Sequence, residues 1–411
     1  MSSRILACLT MALLIAGCQP VAVPAGGASD RPEPDLPVAL PVVLPSLETH
    51  TIIDADEPPA GERRGDADDP AIWIHPTDPA RSLVIAALKE GGMEVYNLAG
   101  AVVQSAEPAG VRYNNVDLVT GFSLGGQATD LAVFSDRFQD NLAFYAIDPA
   151  TGQLTNVSDP ANPLIYTPAG QPSDETTTAY GLATYRDPAT GNAYAFVSRR
   201  DTGDMAQLIL SDTGAGQVGY QLVRTFSLPI PDGEEADAAQ IEGMVVDPVA
   251  GILYLGQENV GVWRMAVDPA QEAAPELFAP VDDVILFADV EGLTLYFGPD
   301  REGYLLVSSQ GNNSFALYSR LNNDYLGSFI VGDNGDVDGA QESDGAMITN
   351  VALGAAFPQG LLVVQDGDNQ PELLVEDDGE MENVATSFKF VPWEQVANAF
   401  TPPLLIDTTP R

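Results

Sequence analysis

The segments Tyr180-Gly-Leu-Ala183, Glu242-Gly-Met-Val245 and Glu291-Gly-Leu-Thr294 share one pattern, in which a polar residue is followed by glycine and then by apolar residues. A turn and a second apolar run come after each segment, and the second run ends in a polar cluster. Short apolar runs bounded by Asp-Pro and glycine-rich turns are typical of β-strands. From residue 49 onward, the sequence shows long helical periodicity nowhere, and a short helix is predicted only near Trp393–Phe400. The pattern therefore predicts an all-β protein.

The same frame extends along the chain as six units. Each unit has a polar residue at its first strand and a second polar residue 16 to 22 positions later. Self-similar units of three or four strands are typical of a β-propeller, in which every unit forms one blade. The sequence thus predicts a six-bladed β-propeller. The paired positions are Asp69 with Lys89, Asp117 with Arg137, Tyr180 with Arg200, Glu242 with Glu258, Glu291 with Gln310, and Asp344 with Asp366.

The paired positions predict a site at one end of the central channel. Because the innermost strand of each blade lines that channel, equivalent side chains point towards one axis. Most of the first-strand positions are carboxylates, and clustered carboxylates repel one another unless a cation lies between them. Oxygen ligands favour Ca²⁺ or Mg²⁺ over Zn²⁺, and irregular ligand numbers from loops favour Ca²⁺. Asp333-Asn-Gly-Asp336-Val-Asp338 is a further oxygen-rich loop with a calcium-like alternation.

Composition limits the partners and the chemistry. The chain has 411 residues, of which 59 are acidic and 17 basic, and its formal net charge of −42 repels nucleic acid. Against this background, Lys89, Arg137 and Arg200 occupy equivalent positions in the first three units and predict an anion site, for which phosphate is the natural ligand. The sequence has two histidines, no cysteine after Cys18 and no Gly-x-Ser-x-Gly motif. A water molecule oriented by a metal ion is the nucleophile that remains.

The amino-terminal segment is typical of an exported lipoprotein. Residues 1–17 combine a basic start with a short apolar run, and Ile15-Ala16-Gly17-Cys18 resembles a bacterial lipobox, in which the cysteine is lipidated. Residues 18–48 are rich in Pro, Ala, Gly and Val and are predicted to form a flexible tether. The propeller is predicted to span residues 49–405. We expect a monomer that is exported to the cell envelope and anchored to the membrane through Cys18 alone.

Several motifs resemble those of the β-propeller phytases, also called alkaline phytases. They run from Asp66-Ala-Asp-Asp69-Pro-Ala-Ile-Trp73 to Phe388-Lys-Phe-Val-Pro-Trp393 and include Asn114-Asn-Val-Asp117, Asp289-Val-Glu291-Gly-Leu-Thr294 and Ser308-Ser-Gln-Gly-Asn312. The resemblance implies a phosphomonoesterase that depends on several calcium ions. Its implied substrates are phytate (myo-inositol hexakisphosphate) and related inositol phosphates, which it would convert to lower inositol phosphates and phosphate.

The resemblance also implies roles for individual residues. The implied catalytic residues are Glu242, Asp69, Glu258 and Glu291. The implied calcium-linked residues are Asp68, Asp69, Glu242, Glu258, Asp289, Glu291, Gln310, Asp338 and Asp344. The implied phosphate-binding residues are Lys89, Arg137, Tyr180 and Arg200. The chain departs from the family where Glu90 follows Lys89 in place of a second lysine, and where Arg200 stands at a position that is typically lysine.

Two other functions fit a calcium-binding propeller. One is a calcium-dependent lactonase or esterase, which would not need three basic residues at the channel mouth. The other is a non-catalytic surface lipoprotein that binds calcium and phytate, and Glu90 favours it because it removes one expected phosphate contact. Release of phosphate distinguishes the phosphomonoesterase from both.

Overall fold

Six sheets of four to six strands and one two-stranded hairpin make up the part of the protein that the computed structural model describes, residues 39–55, 63–271, 274–377 and 380–410. These residues belong to the compact unit Asp35–Arg411. Consecutive strands of the chain are antiparallel neighbours in four of the sheets, and the amino-terminal strands join the other two. Cys18 and the predicted signal segment 1–17 lie outside the described residues.

The strands are numbered along the chain. Four short amino-terminal strands are β1 (Val42–Val43), β2 (Leu47–Glu48), β3 (Ile52–Ile53) and β4 (Arg63–Arg64). Blade 1 contains β5 (Pro70–Trp73), β6 (Leu83–Ala87), β7 (Met93–Asn97) and β8 (Val102–Ala106). Blade 2 contains β9 (Tyr113–Leu124), β10 (Gln127–Asp136), β11 (Asn141–Ile147) and β12 (Leu154–Asn156). Blade 3 contains β13 (Ala179–Arg186), β14 (Ala193–Arg199), β15 (Asp204–Asp212) and β16 (Val218–Ser227).

The second half of the chain continues in the same way. Blade 4 contains β17 (Ile241–Asp247), β18 (Ile252–Gln257), β19 (Gly261–Ala266) and β20 (Glu276–Pro280). Blade 5 contains β21 (Val290–Phe297), β22 (Gly303–Ser309), β23 (Ser314–Ser319) and β24 (Tyr325–Val331). Blade 6 contains β25 (Ala346–Thr349), β26 (Leu361–Asp366) and β29 (Ala385–Pro392), and the hairpin of β27 (Leu374–Asp377) and β28 (Glu380–Asn383) lies between the last two in the chain. The helix α1 is Trp393–Asn398, and 3₁₀ turns lie at Pro79–Arg81, Ala236–Ala239, Pro299–Arg301 and Gln310–Asn312.

The first strands of the blades form a closed ring. β5, β9, β13, β17 and β21 each contact the first strand of the following blade, and β25 contacts β5. Each first strand is hydrogen-bonded to the second strand of its own blade, so the later strands extend outward. The prediction of an all-β, six-bladed β-propeller is confirmed, as is the short helix near Trp393.

The hydrophobic core lies between the blades. Six apolar clusters each combine side chains of two adjacent blades. Both faces of the middle strands are therefore covered, and β6 is buried along its whole length. Phe134 and Phe196 have no exposed surface, and burying a side chain of that size stabilises a fold by roughly 1.5–3 kcal/mol. Because both faces of these strands are buried, their sequences are continuous apolar runs.

Residues near both ends of the described chain pack against blades 5 and 6. β1 is parallel to β24 in blade 5, and β2 and β3 are antiparallel to β29 in blade 6. The predicted tether ends at residue 48, but β1 and β2 already pair with the propeller before that boundary. After the predicted end at residue 405, Asn350 Nδ2 donates to the carbonyl oxygens of Asp407 and Thr409 at 2.8 Å. The paired chain thus extends beyond both predicted boundaries.

Glycines allow the first strands to approach one another closely at one end of the channel. A Cβ atom at Gly181 or Gly243 would clash with the carbonyl oxygen of the polar residue that begins the repeat in the next blade, Glu242 or Glu291. A Cβ atom at Gly292 would lie 2.8 Å from Ala346 N in blade 6. At Gly345 it would lie 2.5 Å from Asp68 O in blade 1. The glycine that follows the polar residue in the repeat is therefore a packing requirement between blades.

We expect Gly243→Ala to lower the free energy of unfolding by about 1–3 kcal/mol, because the added methyl group overpacks a backbone contact. Urea denaturation at a fixed Ca²⁺ concentration measures this loss. Gly219→Ala is the matched control, since its methyl group would meet only side-chain atoms, Thr213 Cγ2 at 3.0 Å and Asn162 Oδ1 at 3.2 Å. Equal stability of the two variants would contradict the packing role of Gly243.

Candidate active site at the end of the central channel

Four backbone hydrogen bonds define equivalent positions in blades 2 to 5. In each blade, the residue after the second strand donates its N–H to the carbonyl of the residue before the first strand. The residue two positions after the one that supplies this carbonyl therefore occupies an equivalent place in each of these four blades. The bonds are Arg137 N to Arg112 O at 2.9 Å, Arg200 N to Thr178 O at 2.9 Å, Glu258 N to Gln240 O at 3.0 Å, and Gln310 N to Asp289 O at 2.9 Å. The equivalent side chains are therefore Asn114, Tyr180, Glu242 and Glu291.

The sequence predicted Asp117 as the first-strand residue of blade 2 that faces the site, and this prediction was wrong. Asn114 occupies it, whereas Asp117 lies further along β9 and accepts hydrogen bonds from the backbone N–H and the hydroxyl of Thr184 in blade 3, at 2.6 and 3.0 Å. β9 is twelve residues long, and its register with β10 shifts at two places. The spacing of 20 residues to Arg137 therefore selected a residue deeper in the channel. Asp117 joins blade 2 to blade 3.

Asp69 also faces the channel, where burial and the charges of Asp117 and Glu242 raise the pKa of its carboxyl well above the usual value. Its Oδ2 atom accepts a hydrogen bond from Val116 N at 3.1 Å. Asp69 and Asp117 both line a central cavity with a volume of about 810 Å³. Most of the cavity wall comes from the first strands, including Leu182 and Met244. Asp69 therefore lies at the junction between this cavity and the acidic end of the ring.

Three buried glutamates converge at the acidic end. One carboxylate oxygen from each of Glu242, Glu258 and Glu291 lies within 4.8 Å of the corresponding oxygens of the other two. The exposed fractions of these residues are 5%, 8% and 5%. Glu242 and Glu291 are repeat positions on β17 and β21, while Glu258 follows β18, so the ring geometry brings the three together. The structure thus brings together three of the residues that the sequence predicted for the site.

Polar neighbours fix the orientation of two of the glutamates. Glu242 accepts hydrogen bonds from the Tyr180 hydroxyl and from Asn114 Nδ2, the latter at 2.6 Å. Gln240 Nε2 donates to Glu258 Oε1 at 2.8 Å and to the Tyr180 hydroxyl at 3.2 Å. Among the described residues, Glu291 Oε2 is buried and has no hydrogen-bond donor. The cluster therefore keeps at least one acceptor oxygen available.

A second acidic group, formed by Asp66, Asp68 and Asp344, surrounds Lys89. The ammonium of Lys89 donates to Asp66 and, at 3.4 Å, to Asp344 Oδ2. It also lies 3.6 Å from Asp68 Oδ2. Burial alone would lower the pKa of Lys89, but the charges of Asp66, Asp344 and Asp68 outweigh it and raise the pKa above its usual value. Lys89 is thus held by carboxylates, and Gln310 Nε2 donates to Asp344 Oδ1 at 2.7 Å from the neighbouring blade.

The electrostatics of both acidic groups favour a bound cation. Burial, followed by repulsion from Glu242, raises the pKa of Glu258 and of Glu291 well above the usual range, and Asp289 adds to this repulsion. Burial also raises the pKa of Asp344 to about 7. Neither carboxylate oxygen of Asp68 has a hydrogen-bond donor among the described residues. A set of buried, oxygen-only ligands with unpaired acceptors fits a hard divalent cation.

Asp338 lies apart from the groups described above. It forms an ion pair with Lys389, which is fully buried and also pairs with Glu48 at 2.5 Å and Asp366 at 3.0 Å. Asp338 Oδ2 accepts a further hydrogen bond from Gln370 N at 2.9 Å. Asp366, the second-strand position of blade 6, is therefore part of an ion-pair network that joins this blade to the amino-terminal β2.

The basic residues lie on the side of blades 2 and 3. The Arg137 guanidinium lies 5.5 Å from the centre of the Tyr180 ring, and its Nη1 atom donates to Asn114 Oδ1 at 3.3 Å. Arg200 Nη1 lies 3.2 Å from Asp201 Oδ2. Tyr180 thus contacts Glu242 directly, and Arg137 is connected to Glu242 through Asn114 and Tyr180. The site places guanidinium donors beside a group of carboxylates.

Sequence reasoning missed three residues that contribute to this site. Asn114 was passed over because Asp117 fitted the spacing of the repeat, and Gln240 stands two positions before Glu242, where the repeat pattern does not reach. Asp66 belongs to the first motif but received no role. Their positions in the repeat could have identified two of these residues. Asn114 is equivalent to Tyr180 and Glu242, and Gln240 lies two positions before Glu242.

Comparisons with known proteins agree with the site. The family model described as phytase matches residues 41–410. A 3-phytase of Bacillus subtilis (strain 168) is 36% identical over 334 residues, which cover 80% of this chain and 80% of that protein.

Among solved structures, a nidogen/laminin complex is matched with a TM-score of 0.42 and 12% identity, over 76% of this chain and 94% of the other. A BBS1N complex with ARL6DN gives a TM-score of 0.40 and 12% identity, over 78% of this chain and 77% of the other. These two similarities are too weak to bear on function. The family model extends over nearly all of the described propeller, and this chain belongs to the phytase family.

Proposed function

We propose that this protein is a Ca²⁺-dependent phosphomonoesterase that hydrolyses phytate or related inositol phosphates to lower inositol phosphates and phosphate. The observation that carries the proposal is the convergence of Glu242, Glu258 and Glu291 within 4.8 Å of one another, next to the guanidinium of Arg137. Membership of the phytase family and the similarity to a 3-phytase support the substrate.

The acidic residues would hold the metal. Glu242, Glu258, Glu291, Asp289, Asp68 and Asp344 are the proposed ligands or near neighbours of several calcium ions. Bound Ca²⁺ would neutralise phosphate charge and favour attack of water on phosphorus. Because Tyr180 and Asn114 donate to Glu242, the orientation of this carboxylate is set before substrate binds. A carboxylate held in this way would bind a cation without having to reorient.

The basic residues would hold the substrate. Arg137 and Arg200 offer charge-assisted hydrogen bonds to phosphate oxygens, and Tyr180 would position the substrate at the boundary between the acidic and basic sides. Lys89 would contribute from blade 1, where it already lies among carboxylates. In the proposed reaction, the oxygen of water bonds to phosphorus, the bond from phosphorus to the inositol oxygen breaks, and the inositol oxygen gains the proton that the water gives up.

Purified protein should release phosphate from phytate when Ca²⁺ is present. EDTA should reduce the rate to background, and added Ca²⁺ should restore it, because the carboxylate cluster cannot approach a phosphate anion without a cation between them. A colorimetric phosphate assay measures this. Binding of phytate and Ca²⁺ without phosphate release would favour a non-catalytic binding protein. Turnover of para-nitrophenyl acetate or a lactone without phosphate release would favour an esterase.

Glu242→Gln should lower kcat for phytate by at least about a hundredfold, the scale on which loss of one preorganised group acts, while the fold is retained. The amide preserves the size of the side chain and removes its charge. Glu276→Gln is the matched control, because Glu276 lies on the outer strand β20 and is exposed. Circular dichroism checks the fold of both variants. Activity of the Glu242 variant close to that of the control would rule out the proposed role.

We also propose that Cys18 is lipidated and anchors the protein in the cell envelope. The lipobox-like Ile15-Ala16-Gly17-Cys18 motivates this. In the described chain, no helix has the length and apolarity that spanning a membrane requires. Cys18→Ser should move the protein from the membrane fraction to the soluble fraction of expressing bacteria, with unchanged phytate hydrolysis. Mass spectrometry of the wild-type amino terminus should detect a diacylglyceryl cysteine, and an unmodified amino terminus would contradict the proposal.

A further inference from the structure

Gln240 lies directly before β17 at the acidic end of blade 4. Its backbone N–H donates to Asp237 O at 3.0 Å, and its carbonyl oxygen accepts a hydrogen bond from Glu258 N at 3.0 Å. Gln240 also follows the 3₁₀ turn Ala236–Ala239 directly. The backbone of Gln240 is therefore fixed on both sides, and its side chain starts beside Glu258 and two positions before Glu242.

The side-chain amide of Gln240 uses its oxygen and its nitrogen for different partners. Its Oε1 atom accepts a hydrogen bond from Asp201 N at 2.8 Å. Its Nε2 atom donates to Glu258 Oε1 at 2.8 Å and to the Tyr180 hydroxyl oxygen at 3.2 Å. A primary amide has one acceptor oxygen and two N–H donors. Because a backbone N–H only donates and an ionised carboxylate only accepts, a single orientation of the amide satisfies all three bonds.

The bonds run in one direction from blade 3 to two of the glutamates. The Tyr180 hydroxyl carries one hydrogen, which it donates to Glu242, so its oxygen is the acceptor for Gln240. A chain of donors thus leads from Asp201 N through the amide and the hydroxyl to Glu242. A branch leads from the amide to Glu258. Hydrogen bonds in such a chain polarise and strengthen one another.

The starting point of this chain is held by bonds of blade 3. Arg200 N donates to Thr178 O at 2.9 Å. Thr202 Oγ1 donates to Arg199 O at 3.0 Å and closes the turn that contains Asp201. Neither bond involves a glutamate of the site. Asp201 N is therefore a fixed point to which the amide ties the carboxylates.

Glu258 depends on this amide more than Glu242 does. Among the residues that the structure describes, Gln240 is the one side chain that donates a hydrogen bond to the Glu258 carboxylate, whereas Glu242 has two donors. One oxygen each of Glu242 and Glu291 lies within 4.8 Å of an oxygen of Glu258, and like charges repel one another at such distances. Without the amide, the Glu258 carboxylate would be free to turn away from the cluster.

We propose that Gln240 is a positioning residue that holds Glu258 in place to bind Ca²⁺ and ties this carboxylate to the turn at Asp201. Gln240 acts through Glu258 and does not itself contact the metal or the substrate. Groups that hydrogen-bond to metal ligands typically change metal affinity by roughly 10–100-fold. The inference rests on the proposed function for the identity of the metal, but Ca²⁺ binding can be measured without turnover.

Gln240→Met keeps the length of the side chain, adds no charge and removes its three hydrogen bonds. Calorimetric titration of the metal-free variant with Ca²⁺ should show binding about tenfold weaker than in the wild type. The Ca²⁺ concentration that gives half-maximal phosphate release from phytate should rise by a similar factor, while KM for phytate at saturating Ca²⁺ stays within about twofold. A loss of stability alone would lower the amount of active protein without shifting this Ca²⁺ concentration.

Gln221→Met is the matched control, because Gln221 is exposed on the outer strand β16, and it should change none of these quantities. A double-mutant cycle with Glu258→Gln tests whether Gln240 acts through Glu258. In the Glu258→Gln background, Gln240→Met should change the Ca²⁺ affinity by less than about twofold.

Unchanged Ca²⁺ affinity in Gln240→Met would overturn the inference, as would an equal effect of Gln221→Met or an equal weakening in the Glu258→Gln background. A wild-type protein whose Ca²⁺ binding depends on Gln240 in this way, but which releases no phosphate from phytate, would overturn the proposed function and leave this inference standing. A wild-type protein that binds no Ca²⁺ would overturn both.

Discussion

The close approach of backbone to backbone at the centre of the ring is the constraint on which the rest of the structure depends. At Gly181, Gly243, Gly292 and Gly345 the next blade lies where a Cβ atom would be. The first strands can therefore meet at a short distance, and the residue that precedes each glycine is carried towards the channel end. The convergence of three glutamates follows from this packing. The same contacts hold together four of the six pairs of adjacent blades, namely 3 with 4, 4 with 5, 5 with 6 and 6 with 1.

This geometry forces charged groups into a buried region, and the electrostatics show the effect. Burial raises the pKa of Glu258, Glu291 and Asp68, and each of these carboxylates is also repelled by Glu242. Lys89 offsets part of the charge of the acidic group around it. A divalent cation would lower these pKa values by favouring the charged forms. The stability of the folded ring and the affinity for metal are therefore coupled.

The sequence allowed the number of blades to be predicted because each blade carries the same short motif. The contribution of the amino-terminal strands could not be predicted, because two-residue strands such as Val42–Val43 are too short to show a periodic pattern. Asn114 was missed because the register shifts in β9 change the spacing between equivalent positions. Asp338 was grouped with the metal ligands by resemblance, while its ion pair with Lys389 connects residues 51 positions apart in the chain. Contacts of this kind depend on the tertiary fold.

The two sides of the site differ in charge although the ring repeats one geometry. Arg137 and Arg200 directly follow the second strands of blades 2 and 3, Lys89 lies two positions after that of blade 1, and Glu258 and Gln310 follow those of blades 4 and 5. The backbone bonds that place them are equivalent in blades 2 to 5, so the polarity of the site arises from side-chain identity alone. A single basic side chain can therefore be supplied from a neighbouring strand without disturbing the ring. Glu90 and Arg112 show this, because the carboxylate that follows Lys89 in blade 1 accepts a hydrogen bond from a guanidinium of blade 2.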